Sequence, residues 1–278
     1  MLIGLVGKPS CGKSTFFKAT TLADVLIANY PFSTIKPNRG IGYVKVECID
    51  KEFNTQCNPQ KGYCIDHKRF VPIEIMDVAG LVEGASEGKG LGNQFLDNLT
   101  SADAFIQIVD VSGETDAEGK ETENYDPNKD IKMLENELDL WYLGILKKAW
   151  KTFARTIQNT KTDFSEAVAR QFSGLKVNKE NVKMVLKKLK FNEEKPNEWT
   201  EEQLKKFAHE LRHLTKPMII AANKIDRPNS KSNLKKIKEY YTELKIIPCS
   251  ADSELALREA SKLKLIDYLK FQKTKIKQ

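Results

Sequence analysis

Three short stretches carry residue types that can act on phosphate and on a purine. The first, "GKPSCGKS" from Gly7 to Ser14, fits the spacing G-x-x-x-x-G-K-[ST] and lies between the strand-like "LIGLV" and the helix-like "TFFKATTLADVLI", the context this motif requires. Its two glycines permit a loop tight enough for Gly7, Lys8, Pro9, Ser10, Cys11 and Gly12 to wrap phosphate oxygens, and the helix beginning around Thr15 adds its positive N-terminal end. Lys13 offers a compact charge to the β- and γ-phosphates of a nucleotide. The Ser14 hydroxyl is a hard oxygen ligand suited to Mg2+.

The second stretch, "DVAGLVEGASEGKGLG" (77–92), ends a strand on Asp77, where a carboxylate can hold Mg2+ through water while the Gly80 N–H reaches the γ-phosphate. Lys13 and Gly80 are therefore the candidate catalytic groups. Leu81 stands where a polar group would orient the attacking water, which implies slow intrinsic hydrolysis; it also suits a loop anchored on the core. The third stretch is "NKID", Asn223 to Asp226, at another strand end. A carboxylate only accepts hydrogen bonds, so Asp226 can pair with the adjacent N1 and N2 donors of guanine, whereas adenine would leave it unpaired. Lys224 can lay its stem over the base, and Asn223 can tie the loops together. In "CSA" (249–251), beside Ser250, the Ala251 N–H suits the guanine O6.

The elements that must position these groups read as an alternation. Strand-like runs occur at 2–6, 41–46, 70–76, 105–110, 217–223 and 244–249, with helix-length segments between several of them, which implies an α/β layered sheet. Pro72 argues that the 70–76 strand begins late or lies at an edge. From Ile131 a stripe of Leu134, Leu138, Trp141 and Ile145 predicts a long amphipathic helix toward Ile157. A second helix is expected around Val182 to Leu189, and a third from a capping box at Thr200 and Gln203 to a stop before Pro217. These helices lie between two strands. They predict a helical insertion at 141–214 that divides the nucleotide domain into 1–140 and 215–278.

With 278 residues, 40% hydrophobic and 30% charged, the chain can bury a sizeable core. No apolar run approaches the length of a membrane span, and no membrane partner is expected. Five cysteines, an odd number without an export signal, point to a reducing cytosol. Residues 146–214 hold sixteen Lys/Arg against nine Asp/Glu, which accounts for the whole net charge of +7. Thirteen of fifteen glycines lie at or before Gly119, so loops that approach a ligand closely should be early in the chain.

"GKPSCGKSTFF", "NYPFSTIKPNRG" (29–40), "DVAGLVEGASEGKGLGNQFL" (77–96) and "NKID" together resemble the translation-factor-related GTPases of the Obg superfamily, within it the YchF-type or Obg-like ATPase group, as an archaeal-like member. The resemblance covers essentially the whole chain. It implies a Ras-like P-loop GTPase domain, a mostly parallel six-stranded sheet flanked by helices, with an inserted helical domain. It makes 29–40 the first switch, with Thr34 as a further Mg2+ ligand beside Ser14 and Asp77. Members that prefer ATP lack a complete guanine motif, so Asp226 favours GTP over ATP as substrate. Some relatives carry Asn where this chain has Ser10, which argues against a potassium ion assisting hydrolysis. The family usually continues into a small C-terminal TGS domain, so the chain is expected to be a shortened form or a short member.

Three further features bear on function. Cys48, Cys57, Cys64 and His67 are the residue types of a Cys3His zinc site, but their spacing lacks the tight C-x2-C pair, and ordinary packed cysteines are expected. Cys11, at a helix N-terminus, has the setting of a lowered thiol pKa, although packing explains a small side chain equally well. The basic insertion, with "KMVLKKLKF" and interleaved Trp150, Phe153 and Phe172, suits RNA phosphates or a solvated lysine face. The resemblance favours contact with the ribosome or its RNA; no DNA specificity is expected. The function expected is a Mg2+-dependent GTP-hydrolysing switch in the cytoplasm, with an Obg-like ATPase or a ribosome-binding module of negligible turnover as alternatives.

Overall fold

Alternation along each strand sorts its side chains onto two faces, and the helices cover both. The computed structural model describes residues 1–22, 37–87, 98–160 and 162–268, together with the backbone at 275–276. Thr34, most of the expected first switch and the segment 88–92 lie outside the described residues. Strands β1 (Leu2–Val6), β2 (Asn38–Glu47), β3 (Tyr63–Ile65), β4 (Lys68–Asp77), β5 (Ala104–Asp110), β6 (Met218–Asn223) and β7 (Ile246–Pro248) form one sheet. Its order is β2-β4-β1-β5-β6-β7, with β3 also paired to β4. β2 runs antiparallel to β4, and β1, β4, β5, β6 and β7 are mutually parallel. This is the expected six-stranded, mostly parallel sheet enlarged by β3, which is too short for periodicity to reveal.

The helices are α1 (Lys13–Thr21), α2 (Asn128–Thr160), α3 (Phe164–Gln171), α4 (Lys179–Leu189), α5 (Glu201–Thr215), α6 (Ser230–Tyr240) and α7 (Ala251–Lys262). Leu5, Ile75 and Phe17 pack together on the face that carries α1. Their neighbours in the pleat, Val6 and Met76, face the opposite way, into a core that includes Leu134 and Leu138 of α2. That core continues without a break into α3, α4 and α5 through Trp150, Phe164, Val182 and Phe207. The stripe beginning at Ile131 thus buries one half of α2 beside the sheet and the other half among the helices.

Pro72 does not shorten β4, which begins at Lys68 and pairs with β2 along its whole length. The Glu74 N–H points to the β1 side, where it meets Met1 O at 3.1 Å. Two residues earlier, the nitrogen of Pro72 points the same way. It falls in the gap between the last β3 pairing, at Phe70, and the first β1 pairing, at Glu74. The missing donor therefore interrupts no ladder bond.

Local signals fix the helix ends. Thr200 accepts from the Gln203 N–H while its own N–H donates to Gln203 Oε1, and Asn178 and Asn181 make the same reciprocal pair before α4. Trp150 and Phe172 are buried rather than displayed for stacking on RNA. Trp150 lies 5.3 Å from Trp199 and 6.2 Å from Phe164, and Trp199 lies 5.2 Å from Phe207, ring centre to ring centre. Phe207→Ala should cost about 3–5 kcal/mol of unfolding free energy by urea titration. A loss below about 1 kcal/mol would remove this cluster from the shared core.

Candidate functional site

The carboxyl ends of β1, β4, β5 and β6 meet at one edge of the sheet. The loop from Gly7 to Gly12 leaves β1 there and feeds α1. Gly12 sits at φ 93° with its Cα against Asn223, and a Cβ would collide with the Asn223 Nδ2. Asn223 Nδ2 donates to Cys11 O at 2.9 Å, and Asn223 Oδ1 accepts from the Ala251 N–H at 2.9 Å. One buried amide therefore joins three loops. The Ala251 N–H, expected to be available to a purine O6, is engaged by Asn223 in this structure.

Lys13 donates to Lys8 O at 2.8 Å across its own loop. Ser14 Oγ donates to Asp77 Oδ2 at 2.8 Å, while the buried Asp77 Oδ1 has no partner among the described residues. Burial pushes the Asp77 carboxyl above its ordinary pKa, against the opposing charge of Lys13 and the Ser14 hydrogen bond. A hydroxyl and an under-satisfied carboxylate 2.8 Å apart form a donor set for a hard divalent cation. The Leu81 N–H donates to Gly7 O at 3.0 Å, and a Cβ on Gly80 would approach Pro9 N to 2.8 Å. The Leu81 side chain is only 1% exposed and points into the main core, so it anchors the segment and offers nothing to a water.

Lys224 donates to Ser10 O at 3.1 Å and to Asp110 Oδ2 at 2.7 Å. The wholly buried Asp110 also accepts from Thr115 Oγ1, Ser112 N and Ser112 Oγ. Burial raises its pKa, but the Lys224 charge and these donors outweigh it, and the net shift is downward. Asp226 is exposed and has no partner among the described residues. With Ser10, Gly12, Thr15, Asn223, Lys224 and Ser250 it lines a cavity of about 820 Å3.

Residues 114–123 supply a wall of that cavity, with Glu114, Thr115, Gly119 and Thr122 on the lining. No motif or period in 114–123 points to this position. Lys8 holds this wall in position: its ammonium is 1% exposed, donates to Thr115 O at 2.6 Å and pairs with Asp130 Oδ2 at 2.9 Å. Burial lifts the Asp130 pKa to about 6, against the pull of Lys8. Lys8 is thus committed to α2 and the wall, and only its backbone is left for a ligand. Glu137, also on α2, accepts from the Gly84 and Ser86 N–H groups at 2.7 and 2.9 Å and so holds the chain that follows Leu81. Both carboxylates lie inside a helix that reads in the sequence as an ordinary amphipathic stripe. Cys11 is fully buried, and burial pushes its thiol pKa up despite Lys13 and Lys8, contrary to the helix-terminus argument.

A mostly parallel sheet carrying a phosphate-type loop, a strand-end Asp77 and an NKID loop tied to it defines a P-loop nucleoside triphosphatase fold. Residues 2–137 match the family described as 50S ribosome-binding GTPase, and 221–277 match the G4 motif-containing domain of Obg-like GTPases of YGR210 type. The chain is 49% identical over 265 residues to an uncharacterized GTP-binding protein of Methanocaldococcus jannaschii, covering 95% of this chain and 66% of that protein. It is 35% identical over 272 residues to the ribosome-binding ATPase YchF of Bacillus subtilis, covering 91% and 66%. The crystal structure of a GTP-binding protein from Pyrococcus horikoshii OT3 superimposes with a TM-score of 0.80 at 38% identity, covering 97% of this chain and 70% of that one. The chain belongs to the YchF/Obg-like GTPase family, and it spans just under two thirds of the length of the two curated relatives.

The depressed pKa of Asp110 has a definite sign. Its stabilising contribution is complete above the unfolded-state value near 3.9 and is lost as pH falls through the lower folded value. Asp110→Asn should cost about 3 kcal/mol at pH 7 by thermal or urea unfolding. The gap from wild type should narrow as pH falls below about 4; a gap independent of pH would contradict a charged Asp110 in the folded protein.

Proposed function

We propose that this chain is a GTP-binding switch that hydrolyses its nucleotide slowly. The observation that carries the reading is the Asn223 amide, which draws the 7–14 loop, the NKID loop and the Ala251 turn around one cavity. In this reading the backbone from Gly7 to Thr15 cradles the phosphates, Lys13 leaves Lys8 O for the β- and γ-phosphates, and Gly80 presents its N–H beside Pro9. Asp226, exposed on the cavity lining, takes the N1 and N2 donors of guanine, and the Lys224 stem lies under the base between Ser10 and Asp110. Ser250 and Ala251 close the cavity edge beside Asn223.

The orphaned Asp77 Oδ1 and the Ser14 hydroxyl fit Mg2+, with Thr34 as the further ligand carried by the first switch. When bound, the ion neutralises charge on the β- and γ-oxygens. Lys13 adds its own charge there, and the Gly80 N–H stabilises a γ-oxygen. Because Leu81 is committed to the core, this chain supplies no side chain at that position to orient a water, which supports slow turnover without a partner. The ribosome is the partner proposed, as the names of the relatives suggest. The surface proposed is α4 with its C-cap, which together expose Lys183, Lys187 and Lys190, while Lys188 pairs with Glu210. The setting is cytoplasmic.

Competition titration of GTP against ATP tests the base reading. Wild type should favour GTP, and Asp226→Asn should lose about a hundredfold in GTP affinity with little change for ATP. Equal loss for both nucleotides, or none, would remove Asp226 from base recognition. Replacing Lys183, Lys187 and Lys190 with Glu should weaken ribosome binding at least tenfold and flatten its salt dependence. Binding unchanged by that reversal would take α4 out of the interface.

A further inference from the structure

Between Glu47, where β2 ends, and Lys68, where β4 begins, the chain makes an excursion that buries none of its own apolar side chains. Ile49 and Phe53 are about 70% exposed, and the buried residue here is an aspartate, Asp50. A unit this small without a core needs another staple. The side chains that converge in it are those whose sequence spacing argued against a metal.

Cys48 Sγ, a carboxylate oxygen of Asp50 and Cys64 Sγ lie within 4.8 Å of one another, with Cys64 Sγ 3.6 Å from Asp50 Oδ2. The Cys48 thiol neighbours those of both Cys57 and Cys64, and the Cys57 N–H donates to Asp50 Oδ2 at 2.8 Å. His67 Nδ1 lies 2.9 Å from Asp50 Oδ1. The backbone is arranged to bring them together. Asp66 and His67, at φ 48° and 60°, form the two-residue turn between β3 and β4, and His67 O accepts from the Cys48 N–H at 2.9 Å. Arg69 lies beside Cys57, and its buried Nη1 has no partner among the described residues.

We propose that Cys48, Cys57 and Cys64, with Asp50 Oδ2 as the fourth ligand, bind one zinc ion. Tetrahedral zinc with Zn–S near 2.3 Å places its ligands about 3.8 Å apart; Cys48, Asp50 and Cys64 already offer donor atoms within 4.8 Å of one another, and Cys57 turns its thiol in from its place beside Cys48. Binding releases the three thiol protons to solvent, so affinity falls at low pH. His67 holds the second oxygen of Asp50, and Arg69 Nη1 donates toward the thiolate of Cys57, as outer partners of metal ligands commonly do. The zinc closes the excursion as a knuckle. It sits at the far end of the ten-residue β2–β4 pairing from Asp77, roughly 30 Å from the cavity, so it is structural and separate from nucleotide binding.

Protein purified under reducing conditions without chelator should contain one zinc per chain by elemental analysis. Its cobalt-substituted form should show thiolate-to-cobalt charge-transfer absorption. The Cys48→Ser, Cys57→Ser, Cys64→Ser triple variant should lose both signals while keeping wild-type nucleotide affinity. Asp50→Ala should weaken zinc binding more than His67→Gln, which should cost about ten- to a hundredfold. Three observations would each overturn the proposal: protein that takes up no zinc when titrated, a disulfide among these cysteines in the isolated protein, or zinc retained in the triple variant. The reverse order of the Asp50 and His67 effects would overturn Asp50 as the ligand.

Discussion

The side-chain amide of Asn223 is the contact on which the site depends. Its nitrogen binds Cys11 O and its oxygen binds the Ala251 N–H, so three loops leaving three different strands take their relative positions from one buried group. Only glycine at position 12 lets the phosphate-type loop come this close. An amide suits the task because it donates and accepts at the same time, and both capacities are used.

Around this tie, buried charges do the positioning. Lys8 and Asp130 join the phosphate-type loop to α2 and to the 114–123 wall; Asp110 holds Lys224 and the start of that wall; Glu137 holds Gly84 and Ser86. Buried ion pairs contribute little net stability but are costly to break, and so favour one arrangement over its near alternatives. Here that arrangement shapes a cavity whose polar wall would be free to splay without Lys8. The chain after Asp77 is fixed in the same way from both sides, by the Leu81 N–H on Gly7 O and by Glu137.

Much of the fold is legible in the sequence because periodicity and caps are local. The stripe on α2, the capping box at Thr200 and strand-end motifs at Gly7, Asp77 and Asn223 all announce themselves within a few residues. Elements too short for a period, β3 and the eight-residue α3, do not. Pro72 misleads because which side of a strand has a gap depends on β1 and β3, far away in the sequence. The same limit hid Lys8–Asp130 and Asp110–Lys224, pairs more than a hundred residues apart. Trp150 and Phe172 read as readily as RNA-stacking rings as core. Only their enclosure by α3, α4 and α5 decides between the two. In the β2–β4 excursion, a two-residue turn in the left-handed region and the pairing of His67 O with the Cys48 N–H bring Cys48 and Cys64 beside Asp50, a convergence that their sequence spacing does not announce.

The central claim is that one cavity takes both ends of a guanine nucleotide, the phosphates on the 7–14 loop and the base on Asp226. A crystal structure of the protein grown with a non-hydrolysable GTP analogue and Mg2+ tests it most directly. Guanine N1 and N2 should lie within hydrogen-bond distance of the Asp226 carboxylate, with Lys13 turned from Lys8 O to the terminal phosphates and the ion between Ser14 and Asp77. A base seated away from Asp226, or phosphates lodged outside the 7–14 loop, would contradict the account.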